Sequence, residues 1–274
     1  MVRPMYRERF LETPAGEILV RCAGEGSARL LVHGLFTSGL TFDRYLERLP
    51  PGVAAAALDL PAAGSSRPAP GFEPGWLAFA DAVIDVADAL DLDRVDLVGH
   101  SMGGGICLAA AARHPSRVRR LVLVDAVTHP FRLPLKGRLP LAPLLGGALF
   151  RLYGERMFIE YFARDVFHER EAMDLAKVRA LYRFFDRRRA EALACMRATA
   201  DPSPVAAMTG LVRCPTLVLW GEHDRLVPID VGRRLVREIE GATLEIIRDS
   251  GHSPLEERPD EAAGAINGFL VEGR

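Results

Sequence analysis

The sequence predicts an α/β fold, a mostly parallel sheet covered on both faces by helices and interrupted by one helical insertion. Three observations carry this reading. Brief apolar, β-branched runs alternate with longer helix-forming stretches, as they do where each strand is buried on both faces and followed by a crossover helix. One such run, residues 95–98, leads into Gly99-His100-Ser101-Met102-Gly103 and then into residues 106–112, a good helix former, so a strand, a sharp turn and a helix follow one another. From residue 127 to about 208 the alternation lapses, and Pro/Gly breaks followed by helical segments rich in aromatics and arginine take its place.

In chain order, residues 7–12 and 17–23 alternate in polarity on either side of Thr13-Pro14-Ala15-Gly16, which reads as a hairpin turn and an antiparallel start. Residues 29–32, 53–58, 94–98, 118–124, 216–220 and 243–247 are short apolar runs suited to buried strands. Between them, Leu77, Ala80, Ile84, Ala87 and Leu90 form one helical stripe with Asp81, Asp85 and Asp88 on the opposite side. A last helix opens at Pro259, with Asp260 and Glu261 suiting its N-terminal turn. The domain reading is a core of residues 1–126 and 209–274, with residues 127–208 inserted as a helical lid.

The 274 residues, 49% of them hydrophobic, can bury one large core. Thirty-five basic against 36 acidic residues give a formal net charge of −1, so no global field favours nucleic acid or an anionic membrane surface. The charged start, Met1 to Arg9, lacks the apolar stretch of a signal peptide, and the expectation is a cytoplasmic protein. Cys22, Cys107, Cys195 and Cys214 are far apart and read as reduced thiols. The apolar run at residues 139–150 is too short and too often broken by Pro and Gly to cross a bilayer. Nothing in the sequence specifies an oligomeric state. The expected partner is a small-molecule substrate, with no nucleic acid and no membrane.

The chemistry gathers at Ser101. Gly99 and Gly103 flank it at the spacing Gly-x-Ser-x-Gly, which lets the backbone turn so sharply that the hydroxyl projects above the sheet edge. The following helix aims its unpaired N–H groups and positive end at the same spot. A serine hydroxyl is a weak nucleophile, and needs a base within hydrogen-bond reach and a third group to hold that base in the right tautomer. His252, in the loop after the last strand, and Asp224, just after the preceding strand, supply both in the order Ser, Asp, His. Asp249 reads as ordering the turn before His252. His114, His129, His168 and His223 show no metal-ligand spacing, Gly24-x-Gly26 lacks a dinucleotide context, and no metal or cofactor is expected.

His33-Gly34, Gly99-His100-Ser101-Met102-Gly103-Gly104, Gly221-Glu222-His223-Asp224 and Gly251-His252 together resemble the α/β-hydrolase family, over about residues 29–125 and 216–270. The resemblance extends to its esterase, serine aminopeptidase and non-haem perhydrolase branches. It implies an eight-stranded sheet with Ser101, Asp224 and His252 as the triad, and the backbone N–H groups of Leu35 and Met102 as oxyanion donors. Such donors are each worth about 10²–10³ in rate. Asp125, at the end of its own strand, is a rival acid, because some relatives place the carboxylate there. His33 and His100 read as structural, one tying down the oxyanion loop and the other packing within the elbow. One departure stands out: where the family commonly carries Asp-x-Pro-Gly-x-Gly, this chain has Asp59-Leu60-Pro61-Ala62-Ala63-Gly64, with alanine at the first glycine.

The lid is rich in leucine and aromatics, and Phe36, Phe158 and Phe162 are the candidate substrate-binding residues. The arginines at 183, 187, 188 and 189 read as a solvated face, with one of them able to meet a substrate carboxylate. The function expected is that of a cofactor-independent serine hydrolase, acting on a small, largely apolar ester, lactone or thioester through an acyl-enzyme on Ser101. The alternatives are C–C hydrolase, aminopeptidase, acyltransferase or perhydrolase chemistry on the same triad, or a non-catalytic receptor or scaffold. Serine at position 101 disfavours dehalogenase and epoxide-hydrolase chemistry, whose nucleophile is a carboxylate. Ser253 stands where ring-cleavage-product hydrolases commonly carry tryptophan, which disfavours that branch.

Overall fold

The structure, a computed structural model, describes residues 6–132, 139–142 and 146–271. Of the segments read from sequence, Met1 to Met5 and the lid leucines Leu144 and Leu145 lie outside the described residues. Nine strands form one sheet: β1 (Arg7–Thr13), β2 (Gly16–Gly24), β3 (Ser27–Val32), β4 (Val53–Leu58), β5 (Arg67–Pro68), β6 (Val95–His100), β7 (Val118–Val124), β8 (Thr216–Gly221) and β9 (Thr243–Ile247). Their order is β1-β2-β4-β3-β6-β7-β8-β9, with β5 paired to β2.

The hairpin forms as its turn chemistry dictates, with Phe10 opposite Leu19 and Thr13 opposite Gly16, and β2 then pairs antiparallel with β4. From β4 to β9 every pairing is parallel. The eight strands expected are present, but the sheet has nine. The added strand, β5, is two residues long and sets Pro68 opposite Gly16. Its Arg-Pro sequence gives no apolar run to read, and proline confines it to an edge.

The parallel strands β3, β4, β6, β7 and β8 are buried on both faces, and their side chains alternate between two cores, whereas β9, read from sequence as a buried strand, lies at the sheet edge with only Ile247 buried. Leu30, Leu97, Leu121 and Val218 face helices α2 (Trp76–Ala89) and α3 (Met102–Arg113). Their neighbours Leu31, Val98, Val122 and Leu217 face the opposite side with Tyr45 and Leu46 of α1 (Asp43–Leu46).

Between β7 and β8 the described residues contain helices and no strand: α4 (Gly146–Arg151), α5 (Glu155–Tyr161) running on through a π turn (Phe162–Val166), α6 (Leu175–Arg187), α7 (Arg189–Ala198) and α8 (Ser203–Ala206). This insertion has its own aromatic core, with Phe150, Phe158, Phe167, Val178, Leu181 and Phe185 all buried. Helix α9 (Ile229–Glu238) covers β8, and α10 (Pro254–Glu257) and α11 (Pro259–Val271) close the chain. Strand order reverses at β3, which lies between β4 and β6, and the carboxyl ends of β3, β6, β7, β8 and β9 open on one edge. In open α/β sheets such a crevice is where ligands bind. Among the described residues no helix is long and apolar enough to cross a membrane.

Candidate active site

Ser101 leaves β6 with φ +55° and ψ −120°, a strained conformation for a non-glycine residue. The turn closes because its neighbours lack side chains. A Cβ on Gly99 would sit 2.4 Å from the Gly103 carbonyl oxygen, and one on Gly103 would sit 2.1 Å from that of Val32. The strain is held by the rest of the chain: Ser101 N–H donates to Val124 O at 2.9 Å, and Val127 N–H to Ser101 O at 2.9 Å.

His252 Nε2 lies 2.9 Å from Ser101 Oγ, and His252 Nδ1 lies 2.7 Å from Asp224 Oδ2. Because an ionised carboxylate only accepts, Nδ1 carries the ring proton and Nε2 offers its lone pair to the hydroxyl. The other oxygen of Asp224 accepts the N–H groups of Leu226 at 2.7 Å and Val227 at 3.0 Å. Burial works against ionisation of Asp224, but the interaction with the His252 ring and these hydrogen bonds outweigh it and hold the carboxyl below its usual range. The three residues named from sequence therefore meet, from the ends of three different strands.

Asp125, the rival acid, is also here, fully buried at the end of β7 with φ +44°. Its Oδ1 accepts Gly221 N–H at 2.9 Å. Donor atoms of Asp125, Asp224 and His252 all lie within 4.8 Å of one another. Burial, and then the neighbouring Asp224 charge, push Asp125 well above the usual carboxylate range. Of the two carboxyls, Asp224 is the one bonded to the imidazole.

His33 Nε2 accepts Leu60 N–H at 3.0 Å, so Nδ1–H donates to Gly34 O at 2.7 Å, pinning the loop after β3 to the loop after β4. Burial keeps that ring neutral. A Cβ on Gly34 would fall 2.9 Å from Ser101 Cβ, which brings Leu35 close to Ser101. Met102 is the first residue of α3, whose N–H has no partner within the helix. His100 donates from Nε2 to His252 O at 2.7 Å, and burial pushes its own ring down to about 3, so it holds the histidine loop and titrates nothing.

The loop after β4 turns at the alanine in position 62. Ala62 adopts φ +66°, and Ala63 N–H donates to Leu60 O at 2.9 Å, a type II turn with Pro61 at its first corner. Alanine here bears the strain that glycine avoids.

Ser101, His252, Leu35 and Met102 open on a cavity of about 570 Å³ between the sheet edge and the insertion. Its walls are mainly apolar, with Trp76, Phe131, Phe150, Tyr161, Phe162, Met196 and Leu226 among them, and the charged residues Glu160, Arg164, Asp165, Asp201 and Glu256 also line it. Phe36 and Phe162 line the cavity; Phe158 does not. Its ring lies behind Phe162, 4.9 Å between centroids, fully buried in the aromatic core of the insertion. Arg188 and Arg189 do not line it either: Arg188 bonds Ser66 O, and Arg189 binds Asp186 at 2.6 Å and the carbonyl of Tyr153 at 2.8 Å, its guanidinium over the Phe185 ring. The linear run of arginines gave no hint of these partners.

Among the described residues, two clusters bring three metal-capable donors together: Asp125, Asp224 and His252, and the exposed Glu222, His223 and Asp249. In the first, Asp224 and His252 are bonded to each other and Asp125 Oδ1 accepts Gly221 N–H, while Asp125 Oδ2 is buried without a hydrogen-bond partner among the described residues. The second is invisible in linear spacing. Sequence reasoning also passed over Glu257, whose carboxylate ties the histidine loop to the insertion; in the sequence it is one more acid in the first turn of a helix.

A parallel sheet that brings a serine at a strained elbow, an imidazole and a carboxylate to one crevice is the architecture of the α/β hydrolases. The chain belongs to the alpha/beta hydrolase family, whose model matches residues 30–265, and it is a hydrolase. It is 30% identical over 253 residues to a 2-hydroxy-6-oxo-6-phenylhexa-2,4-dienoate hydrolase of Comamonas testosteroni, covering 87% of this chain and 86% of that one. A 2-hydroxymuconate semialdehyde hydrolase of Pseudomonas putida is 31% identical, over 91% and 89% of the two chains. Among solved structures, a thermophilic esterase from Thermogutta terrifontis superposes with a TM-score of 0.79 at 25% identity, over 96% and 98% of the two chains.

Proposed function

We propose that the chain is a cofactor-independent serine hydrolase that cleaves a small, largely apolar ester, lactone or thioester through an acyl-enzyme on Ser101. The observation that carries this is the unbroken relay from Ser101 Oγ through His252 to Asp224, at 2.9 and 2.7 Å, opening on a mainly apolar cavity of ligand size. Ser101 Oγ attacks the carbonyl carbon while its proton passes to His252 Nε2. The tetrahedral oxyanion is met by the N–H groups of Leu35 and Met102. As the tetrahedral centre collapses, the bond to the leaving oxygen or sulfur breaks and Nε2 returns its proton to that atom. Water enters, gives a proton to His252, attacks the acyl carbon and frees the acid, restoring Ser101. Asp224 stays ionised throughout and stabilises the imidazolium. The helical insertion acts as the lid that roofs the cavity.

C–C bond hydrolysis on the same relay is the second reading, favoured by what the Comamonas and Pseudomonas relatives are named for. Against it stands Ser253, which is buried and lines the cavity beside His252 where ring-cleavage-product hydrolases commonly carry tryptophan.

The test is fluorophosphonate labelling of the parent and of Ser101→Ala, with turnover of p-nitrophenyl esters of graded chain length beside a 6-phenyl oxo-dienoate. Labelling lost in Ser101→Ala, with esters turned over faster than the dienoate, supports the ester reading. Faster cleavage of the dienoate favours the second reading. A folded parent inert to every probe refutes the hydrolytic role of Ser101.

A further inference from the structure

The loop that carries His252 does not stand alone above the sheet. His252 N–H donates to Val166 O of the insertion at 2.8 Å, while its carbonyl accepts His100 Nε2–H at 2.7 Å, so one bond from each layer fixes its backbone. The two chain segments touch. A Cβ on Gly251 would lie 2.6 Å from Val166 O and 2.7 Å from His168 N. Across this contact reaches the carboxylate of Glu257, a residue only 5% exposed. Its Oε1 accepts Gly251 N–H at 2.7 Å, and its Oε2 accepts the N–H groups of His168 at 2.7 Å and Glu169 at 3.0 Å. Arg258 then grips the Glu169 carboxylate at 2.8 and 3.0 Å from the same side. One carboxylate thus gathers three N–H groups from two segments, the farther of them 89 residues away in sequence.

We propose that Glu257 is a positioning residue that couples the helical insertion to the base, so that the His252 ring reaches Ser101 only while the insertion is docked on the histidine loop. This rests on the serine-hydrolase reading above. Of the ring's two polar contacts, the one to Ser101 ends on the elbow after β6, while the one to Asp224 ends on a loop that itself touches the insertion through Arg225 to Arg164 O at 3.0 Å, so a shift of the insertion with the histidine loop lengthens the contact to Ser101. A misplacement of about 1 Å in such a relay costs up to about 10²-fold in rate.

Glu257→Gln tests the coupling at nearly constant volume. The amide keeps one accepting oxygen and turns an NH₂ toward the N–H groups of the other segment, so it serves one side of the contact and opens the other. The expected result is a fall in kcat of about 10–100-fold, equal on p-nitrophenyl acetate and octanoate, with KM changed less than about threefold. Amide exchange followed by mass spectrometry should quicken together in peptides spanning residues 166–169 and 250–253. A kcat within about twofold of the parent on both esters overturns the proposal, as does a loss confined to the octanoate, which would mean that the contact only shapes the cavity.

Should the variant fail to fold, the parent carries the test: the fluorophosphonate adduct on Ser101 should slow exchange in both segments together, and slowing in one alone overturns the coupling. A parent that takes no label sinks the serine-hydrolase reading and the coupling with it. Labelling that persists beside an unimpaired Glu257→Gln sinks the coupling alone.

Discussion

Changing Asp224 to asparagine is the sharpest probe of the relay, because the surroundings of that carboxyl decide how the amide must sit. Oδ1 receives two backbone N–H groups, from Leu226 and Val227, while Oδ2 is bonded to the His252 ring. An asparagine keeps its oxygen toward the two N–H groups, since the opposite orientation would set its NH₂ against both. The NH₂ therefore faces Nδ1, which must accept. The ring proton moves to Nε2, the nitrogen 2.9 Å from Ser101 Oγ, and the base points a hydrogen where it needs a lone pair. A triad in the wrong tautomer loses about 10⁴ in kcat, which at about 1.36 kcal/mol per decade is about 5 kcal/mol of transition-state stabilisation.

Folding should not suffer, because the variant is isosteric and removes the charge beside buried Asp125. The neighbour also sets the residual rate. With Asp224 neutral, Asp125 no longer faces a like charge, although burial still opposes its ionisation, so Asp224→Asn should keep more activity than the Asp125→Asn/Asp224→Asn pair. Asp125→Asn alone, which leaves the Asp224–His252 hydrogen bond in place, should stay near the parent. The assay is kcat/KM on p-nitrophenyl butyrate, with thermal melting as the folding control. The reasoning fails if Asp224→Asn keeps more than about a tenth of the parent activity while Asp125→Asn collapses, since that would move the acid to the end of β7.

Ala62→Gly should stabilise the protein by about 1 kcal/mol, since φ +66° strains alanine and not glycine; a melting temperature raised by about 2–4 °C is expected, and a lowered one would contradict the type II turn. Asp43 is raised from 3.8 to about 6, chiefly by burial, and Lys177 and Arg21 only partly offset this. Its contribution to stability is full below the unfolded value and is lost as pH rises through about 6, so Asp43→Asn should gain on the parent in melting temperature across that window, and a parent gaining on the variant would reverse the sign. Phe162→Ala enlarges the cavity and should shift ester preference toward longer chains, whereas Phe158→Ala, in the core of the insertion, should cost about 3–5 kcal/mol with chain-length preference unchanged; the opposite assignment would place Phe158 in the cavity wall.

What the sequence discloses here is what short-range sterics and strand periodicity enforce. The elbow is legible because Gly99 and Gly103 are needed where the turn brings Val32 and the Gly103 carbonyl within about 2.1–2.4 Å of any Cβ. Asp224 and His252 are legible because each follows an apolar strand, and parallel strands deliver their ends to one edge. The same logic cannot separate Asp224 from Asp125, as both follow strands; they differ in what surrounds each carboxyl, two N–H donors and an imidazole against one N–H and a neighbouring charge. Phe158 and Phe162 stand one helical turn apart and stack on each other, so periodicity puts both on one face, and only the packing of the insertion decides which meets the cavity. β5 escapes because a two-residue edge pairing leaves no hydrophobic signature. Glu257 escapes for a deeper reason: a hydrogen bond from a carboxylate to backbone N–H groups 88 and 89 residues away imposes no residue type on its partners, for every non-proline residue offers the same donor. Long-range polar ties of this kind leave no pattern in a single chain, and that is why the fold and the meeting of Ser101, His252 and Asp224 can be read from the residues while the bonds of Glu257 to the insertion cannot.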